Sequence, residues 1–271
     1  MDHSHNAKPP VLLVHGMWSN QDALQEVHDA FVEQGYVTES LCLPYHCSKT
    51  EHTAASKEKL AQTGLQDYVA YIVEQVKRQS SPPILVGHSM GGLLVQLAAA
   101  QVPCQRLILL SSAAPAGING LSLSAIRTLG SNILRFPLWR SITEVKLENI
   151  RYGIANTQSA AVQQDIYANS TYESGMATWQ ISMGLLLGRR SAAYVDTAQI
   201  QCPVLIIGGT ADRITPINVQ RSIAQRFGVR GQLVEIPNCC HWTVGGKFFP
   251  EIRTEIFQWL ATETAGKEAR A

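Results

Sequence analysis

The sequence predicts an α/β fold: a mostly parallel sheet of about six strands, helices on both faces, and a helical insertion between two core strands. Three observations lead there. The apolar runs ILVG at 84–87, LILL at 107–110 and VLII at 204–207 are continuous rather than alternating, which suits strands buried on both faces. Such runs alternate with longer stretches of helical spacing, the pattern of a parallel sheet wrapped by helices. A chain of 271 residues that is 45% hydrophobic and 16% charged can bury one large core.

In chain order, residues 11–15 read as the first strand, introduced by Pro9 and Pro10. Residues 19–35 carry Ala23, Leu24, Val27, Phe31 and Val32 at helical spacing and stop at Gly35. Strands follow at 37–43, 83–87 and 106–111, with helices at 65–76 and 90–101 between them. Further strands fall at 203–208 and 232–236, with helices near 217–227 and 249–260. Residues 113–201 break this rhythm. They hold apolar-rich helical pieces at 121–139, 145–154, 160–172 and 179–187 and no strong buried strand. The expected division is therefore a core of 1–114 and 201–271 with a helical cap at 115–200. The small, charged tail from Thr262 is expected to fray.

A net charge of +1 gives no reason to expect nucleic acid or an anionic membrane as partner. No basic-then-apolar leader is visible at the start, and apolar runs are too short to cross a bilayer. The six cysteines are scattered without CxxC spacing, so reduced thiols and a cytoplasmic location are expected. The polar start, Asp2-His3-Ser4-His5-Asn6, reads as a terminus rather than a metal site. Cys239 and Cys240 are adjacent, which disfavours a disulfide between them.

The chemistry concentrates in three places. Gly87-His88-Ser89-Met90-Gly91-Gly92 fits G-x-S-x-G between a strand and a helix, where a serine sits on a sharp turn with its hydroxyl exposed. Its glycines remove side chains that would collide there. Asp212 ends Gly208-Gly209-Thr210-Ala211-Asp212 after the fifth strand, where a carboxylate reaches a histidine at the end of the next. His241 follows the sixth strand and can take and return a serine proton near neutrality. His28 lies within a helix, His46 and His52 lie in the loop after the second strand, and His88 points away if Ser89 points in. His15, ending the first strand, reads as a structural group bonding loop backbone. The residue order Ser89, Asp212, His241 is that of a serine–acid–histidine triad.

Together VLLVHGMW, ILVGHSMGG, PVLIIGGTAD and the CCHW histidine, spread over residues 11–260, resemble the α/β-hydrolase superfamily. The resemblance implies Ser89, Asp212 and His241 as triad and the backbone N–H groups of Met90 and Met17 as oxyanion donors, with Trp18 the alternative to Met17. The sheet would start at the strand called third in larger members. A serine nucleophile in this setting implies acyl transfer on an ester or thioester of a small, apolar molecule, with no metal or organic cofactor. The same triad serves carbon–carbon bond hydrolases, lyases and perhydrolases, and receptors that keep the constellation without turnover. Trp18, His88, Trp139, Trp179 and Met183, with Phe136 and Met176, are the expected pocket liners. Nothing in the sequence decides between monomer and homodimer.

Overall fold

The computed structural model describes residues 8–120, 122–130, 132 and 135–268, and the side chains of these up to Thr262. The polar start at 2–6, expected as a plain terminus, lies outside the described residues.

Six parallel strands form the sheet: β1 (Val11–Val14), β2 (Thr38–Leu41), β3 (Ile84–His88), β4 (Arg106–Leu110), β7 (Val204–Gly209) and β8 (Gly231–Ile236), in the order β2-β1-β3-β4-β7-β8. β5 (Ile142–Thr143) and β6 (Glu173–Ser174) form a separate antiparallel ribbon. The period of two in each strand divides the core between two faces. Leu12, Val14, Leu85, Leu107 and Ile206 face the helices Leu65–Lys77, Met90–Ala99 and Ile217–Phe227. Val11, Leu13, Val86, Ile108 and Leu205 face the helices Gln25–Glu33 and Phe249–Glu268. The continuous apolar runs are thus the strands that helices cover on both sides, as expected of a parallel sheet.

Several local expectations change. Val37 is 77% exposed and stays outside β2, its carbonyl accepting from Val11 N. The stretch at 19–35 divides into a 3₁₀ turn, Gln21–Leu24, and the helix Gln25–Glu33, which Gly35 terminates at φ +76°. A helix at Ala54–Gln62 was not foreseen. It buries only Leu60 and Ala61, too few to make an apolar stripe, and starts instead from a capping box between Thr53 and Ser56. The last helix runs to Glu268 rather than fraying from Thr262.

Between β4 and β7 the chain forms short pieces: Leu123–Leu129, Leu138–Arg140, Leu147–Asn149, a π turn at Ile150–Ile154, Ala160–Ala168, Gly175–Ser182 and Gly184–Leu187. One buried cluster ties this segment to the core. Glu173, fully buried, accepts from Tyr68 Oη at 2.9 Å and from Ser174 N at 2.7 Å, and its Oε2 lies 2.9 Å from His46 Nε2. His46 Nδ1 is 3.1 Å from the Pro44 carbonyl. A carbonyl cannot donate, so Nδ1 carries a proton, and the imidazole and carboxylate share one more. Burial pulls the His46 pKa down, but the charge and hydrogen bond of Glu173 and the carbonyls of Pro44 and Leu43 outweigh it, and the net shift is upward.

Removing one partner of such a pair leaves an uncompensated buried charge. Glu173→Ala should therefore cost about 3–5 kcal/mol in chemical denaturation near pH 6. Because the folded His46 pKa is raised, the pair's contribution is complete below the ordinary value of 6.5 and fades as pH rises through the folded value. The gap between wild type and variant should narrow in titrations from pH 6 upward; a gap below about 1 kcal/mol at pH 6 contradicts the anchoring role.

Candidate active site

Ser89 follows β3 at φ 54° and ψ −119° and caps the helix Met90–Ala99. Its neighbours pin this turn. Ser89 N donates to Leu110 O at 3.0 Å, and Ser89 O accepts from Ala113 N at 2.8 Å and Gly92 N at 3.0 Å. The glycines are required by approach distance. A Cβ on Gly91 would run into the Val14 carbonyl, and one on Gly87 into the Gly91 carbonyl. A Cβ on Gly16 would come within 2.9 Å of Ser89 Cβ, so the loop after β1 lies directly beside the serine.

Asp212 and His241 come from the loops after β7 and β8, and backbone bonds lace those loops together. Thr210 N donates to Ile236 O at 3.1 Å, Ala211 N to Cys239 O at 2.9 Å, and Asn238 N to Thr210 Oγ1 at 2.8 Å. Gly209 has no room for a Cβ against the Cys239 carbonyl. His241 Nδ1 lies 2.8 Å from Asp212 Oδ2 and Nε2 lies 2.9 Å from Ser89 Oγ. An ionised carboxylate only accepts, so Nδ1 bears the proton and Nε2 is left to accept from the serine. All three side chains are buried.

Thr215 escaped the sequence reading, and His88, expected as a pocket liner, also supports the histidine's backbone. Thr215 Oγ1 donates to the Asp212 carboxylate at 2.9 Å, and Ile214 N and Thr215 N donate to its other oxygen at 2.8 and 2.9 Å. An acid three residues before a threonine, ahead of a helix, was the available signal. His88 Nε2 lies 3.0 Å from the His241 carbonyl and must donate to it. Burial holds the His88 pKa down at about 3, with the neighbouring His241 adding to the depression. His15 is likewise neutral: Nδ1 faces the Gly16 carbonyl at 2.9 Å, Nε2 accepts from Leu43 N at 3.2 Å, and burial lowers its pKa.

A cavity opens above Ser89. Met17, Trp18, Ser89, His88, His241 and Trp242 line one side of it, Ile214 and Thr215 border it beside Asp212, and residues of the β4–β7 segment line most of the rest. Trp18 is tied to that segment by Nε1–H donation to Thr143 Oγ1 at 3.0 Å. The expected liners Trp139, Trp179 and Met183 do not border this cavity, nor do Phe136 and Met176. Trp139 packs on Trp179 and Phe136, with ring centroids 5.7 Å apart in each pair. Helical period explains the difference. Thr178, Ile181, Ser182 and Leu185 share the face that meets the cavity, whereas Met176, Trp179 and Met183 fall on another. The sequence reading followed side-chain size where the facing decided.

Among the lining residues that the structure describes, none is Asp, Glu, Lys or Arg. Among the described residues, no helix is long and apolar enough to cross a membrane. The Cys239 and Cys240 thiols are buried and unbridged.

The family model for serine aminopeptidases of the S33 type matches residues 5–246. No curated protein matches the chain. Among solved structures, the chain is similar to a monoacylglycerol lipase from Paleococcus ferrophilus, at 18% identity and TM-score 0.66, covering 93% of each chain. It is similar to polyneuridine aldehyde esterase at 12% identity and TM-score 0.67, covering 93% of this chain and 99% of that one. A methylesterase from Arabidopsis aligns at 14% identity and TM-score 0.67, over 95% and 99% of the two chains. At these identities the structures speak for the fold, and the family match covers most of the sequence. The chain belongs to the S33 serine aminopeptidase family of α/β hydrolases.

Proposed function

We propose that this α/β hydrolase is a serine esterase that cleaves carboxylic esters, or thioesters, of a small, neutral, apolar acyl group through an acyl-enzyme. The observation that carries this reading is the continuous line from Asp212 Oδ2 through His241 to Ser89 Oγ, 2.8 and 2.9 Å, opening into a cavity without charged side chains among its described lining residues.

Ser89 Oγ attacks the carbonyl carbon while His241 Nε2 takes its proton. Asp212 holds the Nδ1–H tautomer and stabilises the imidazolium. The backbone N–H groups of Met90, at the start of a helix, and of Met17, beside the serine, receive the developing oxyanion; each such donor is worth about 2.7–4 kcal/mol of barrier. His241 returns its proton to the leaving oxygen or sulfur, and water repeats the sequence to release the acid. The segment 115–200 serves as the cap that covers the acyl group and thins the water around it.

The family description includes aminopeptidases. A peptide amino terminus is a cation and calls for a carboxylate or a cluster of acceptors. Asp212 is occupied by His241 and Thr215, and Glu173 by His46 and Tyr68. An ammonium in the cavity would be desolvated without a counter-ion, at a cost of several kcal/mol. Neutral acyl chains meet no such penalty.

Ser89→Ala should reduce kcat on p-nitrophenyl esters by about 10⁴–10⁶-fold. Asp212→Asn should reduce it by about 10⁴-fold through the wrong tautomer. A loss within tenfold for Asp212→Asn, measured on folded protein, would remove it from the acid's role.

Substrate charge gives a second measurement. For matched p-nitrophenyl butyrate and an aminoacyl p-nitroanilide, kcat/KM should favour the ester by at least about 10³-fold beyond the difference in intrinsic reactivity, given a cost of several kcal/mol for an unpaired ammonium. Comparable values, or a preference for the free amino group, contradict the neutral-acyl reading.

A further inference from the structure

Ninety-eight positions separate Cys104 from Cys202, yet the fold brings their Sγ atoms to 3.3 Å. Cys104 precedes β4 and Cys202 precedes β7, and these strands are parallel neighbours with Leu107 opposite Val204. Both sulfurs therefore sit at the amino ends of the strands, the opposite end of the sheet from Ser89, Asp212 and His241.

Two arginines act on this pair. Arg106 is buried and Arg230 is half-buried. Each leaves its Nε buried without a hydrogen-bond partner. Arg106 Nη1 donates to the Gln105 carbonyl at 3.0 Å and Arg230 Nη2 to the Thr197 carbonyl at 3.1 Å. Among the described residues neither pairs with a carboxylate. A guanidinium so placed favours an anion nearby. The Cys202 sulfur can be that anion. The hydrogen bond from Cys104 draws the Cys202 pKa down, burial opposes it, and the charges of Arg106 and Arg230 pull it down further. The same bond, with burial, pushes the Cys104 pKa up, and the arginine charges favour Cys202 over Cys104 as the thiolate.

We propose that Cys104 and Cys202 form an oxidisable dithiol, with Cys202 the sulfur that attacks a hydroperoxide and Cys104 the sulfur that resolves it into a disulfide. The Cys202 thiolate attacks one peroxide oxygen and the O–O bond breaks. The departing oxygen takes a proton, and Cys202 is left as a sulfenic acid. Cys104 sulfur then attacks Cys202 sulfur. Its proton leaves with the hydroxyl as water, and the S–S bond remains. Two electrons pass from the dithiol to the peroxide, and a thiol reductant reverses the change. Access suits a small oxidant: Cys104 is partly exposed and Cys202 is 8% exposed.

The bond would close the chain from Cys104 to Cys202, a loop that contains the entire segment between β4 and β7. Cross-linking the base of that segment removes freedom from the unfolded chain while leaving the carboxyl-end site untouched.

The full chain, reduced and then treated with stoichiometric hydrogen peroxide, tests this by non-reducing peptide mass spectrometry with Tm recorded alongside. The expected product is a Cys104–Cys202 linked peptide, an intact mass lower by two hydrogens, and a Tm higher by about 5–10 °C that dithiothreitol reverses. Cys104→Ser, which keeps a hydroxyl donor beside Cys202, should form no link and should instead carry a dimedone-trappable sulfenic acid at Cys202. A folded wild type that forms no Cys104–Cys202 link, or a folded Cys104→Ser variant that leaves Cys202 unoxidised while other thiols react, overturns the proposal. These readouts are masses and melting points, independent of whether the enzyme hydrolyses esters.

Discussion

Ser89 holds a backbone conformation that residues with a side chain rarely adopt, φ 54° with ψ −119°, and the surrounding architecture exists to make that conformation the stable one. Such a position costs about 1–3 kcal/mol and persists only where neighbours over-determine it. Here they do. Leu110 and Ala113 hold the serine's backbone N–H and carbonyl, and Gly87 and Gly91 open the space into which the turn folds. The helix that starts at Met90 is buried along its length in the apolar layer on one face of the sheet. The strain is stored locally and balanced by packing distributed over the core.

A parallel sheet solves the second problem, that of assembly. Ser89, Asp212 and His241 are far apart in sequence, yet each follows a strand at its carboxyl end. β3, β4, β7 and β8 lie side by side, so the three loops open onto one crevice. Their alignment is then a matter of short bonds. Thr215 fixes the carboxylate, His88 fixes the backbone of His241, and the two loops after β7 and β8 share hydrogen bonds at Thr210, Ala211 and Asn238. The imidazole is left with one acceptor nitrogen, aimed at the serine.

What was legible in the sequence is what local rules determine. Buried strands read as continuous apolar runs, Gly35 marked a helix end, and the glycines around Ser89 marked a turn that no other residue fits. What was not legible depends on partners distant in the chain. The helix Ala54–Gln62 has almost no apolar stripe and rests on a capping box. The two-residue strands at Ile142–Thr143 and Glu173–Ser174 have no periodicity to read. His46 offered no sign that it would meet Glu173, nor Cys104 that it would meet Cys202. Trp139, Trp179 and Met183 show the limit from the other side. Their size suggested a pocket, but Trp139 packs on Phe136 and Trp179, and the cavity-facing side of the helix that carries Trp179 belongs to the smaller Thr178, Ile181 and Ser182. Size was visible in the sequence and facing was not.

The central claim is that the geometry around Ser89 makes its oxygen a nucleophile. The most direct measurement is the rate and site of covalent modification by a fluorophosphonate, followed by intact-protein and peptide mass spectrometry in wild type and in Asp212→Asn. The account predicts one stoichiometric adduct on the peptide bearing Ser89, formed far more slowly in the variant. An intact fold that takes no adduct, an adduct on another residue, or equal rates in both proteins would contradict it.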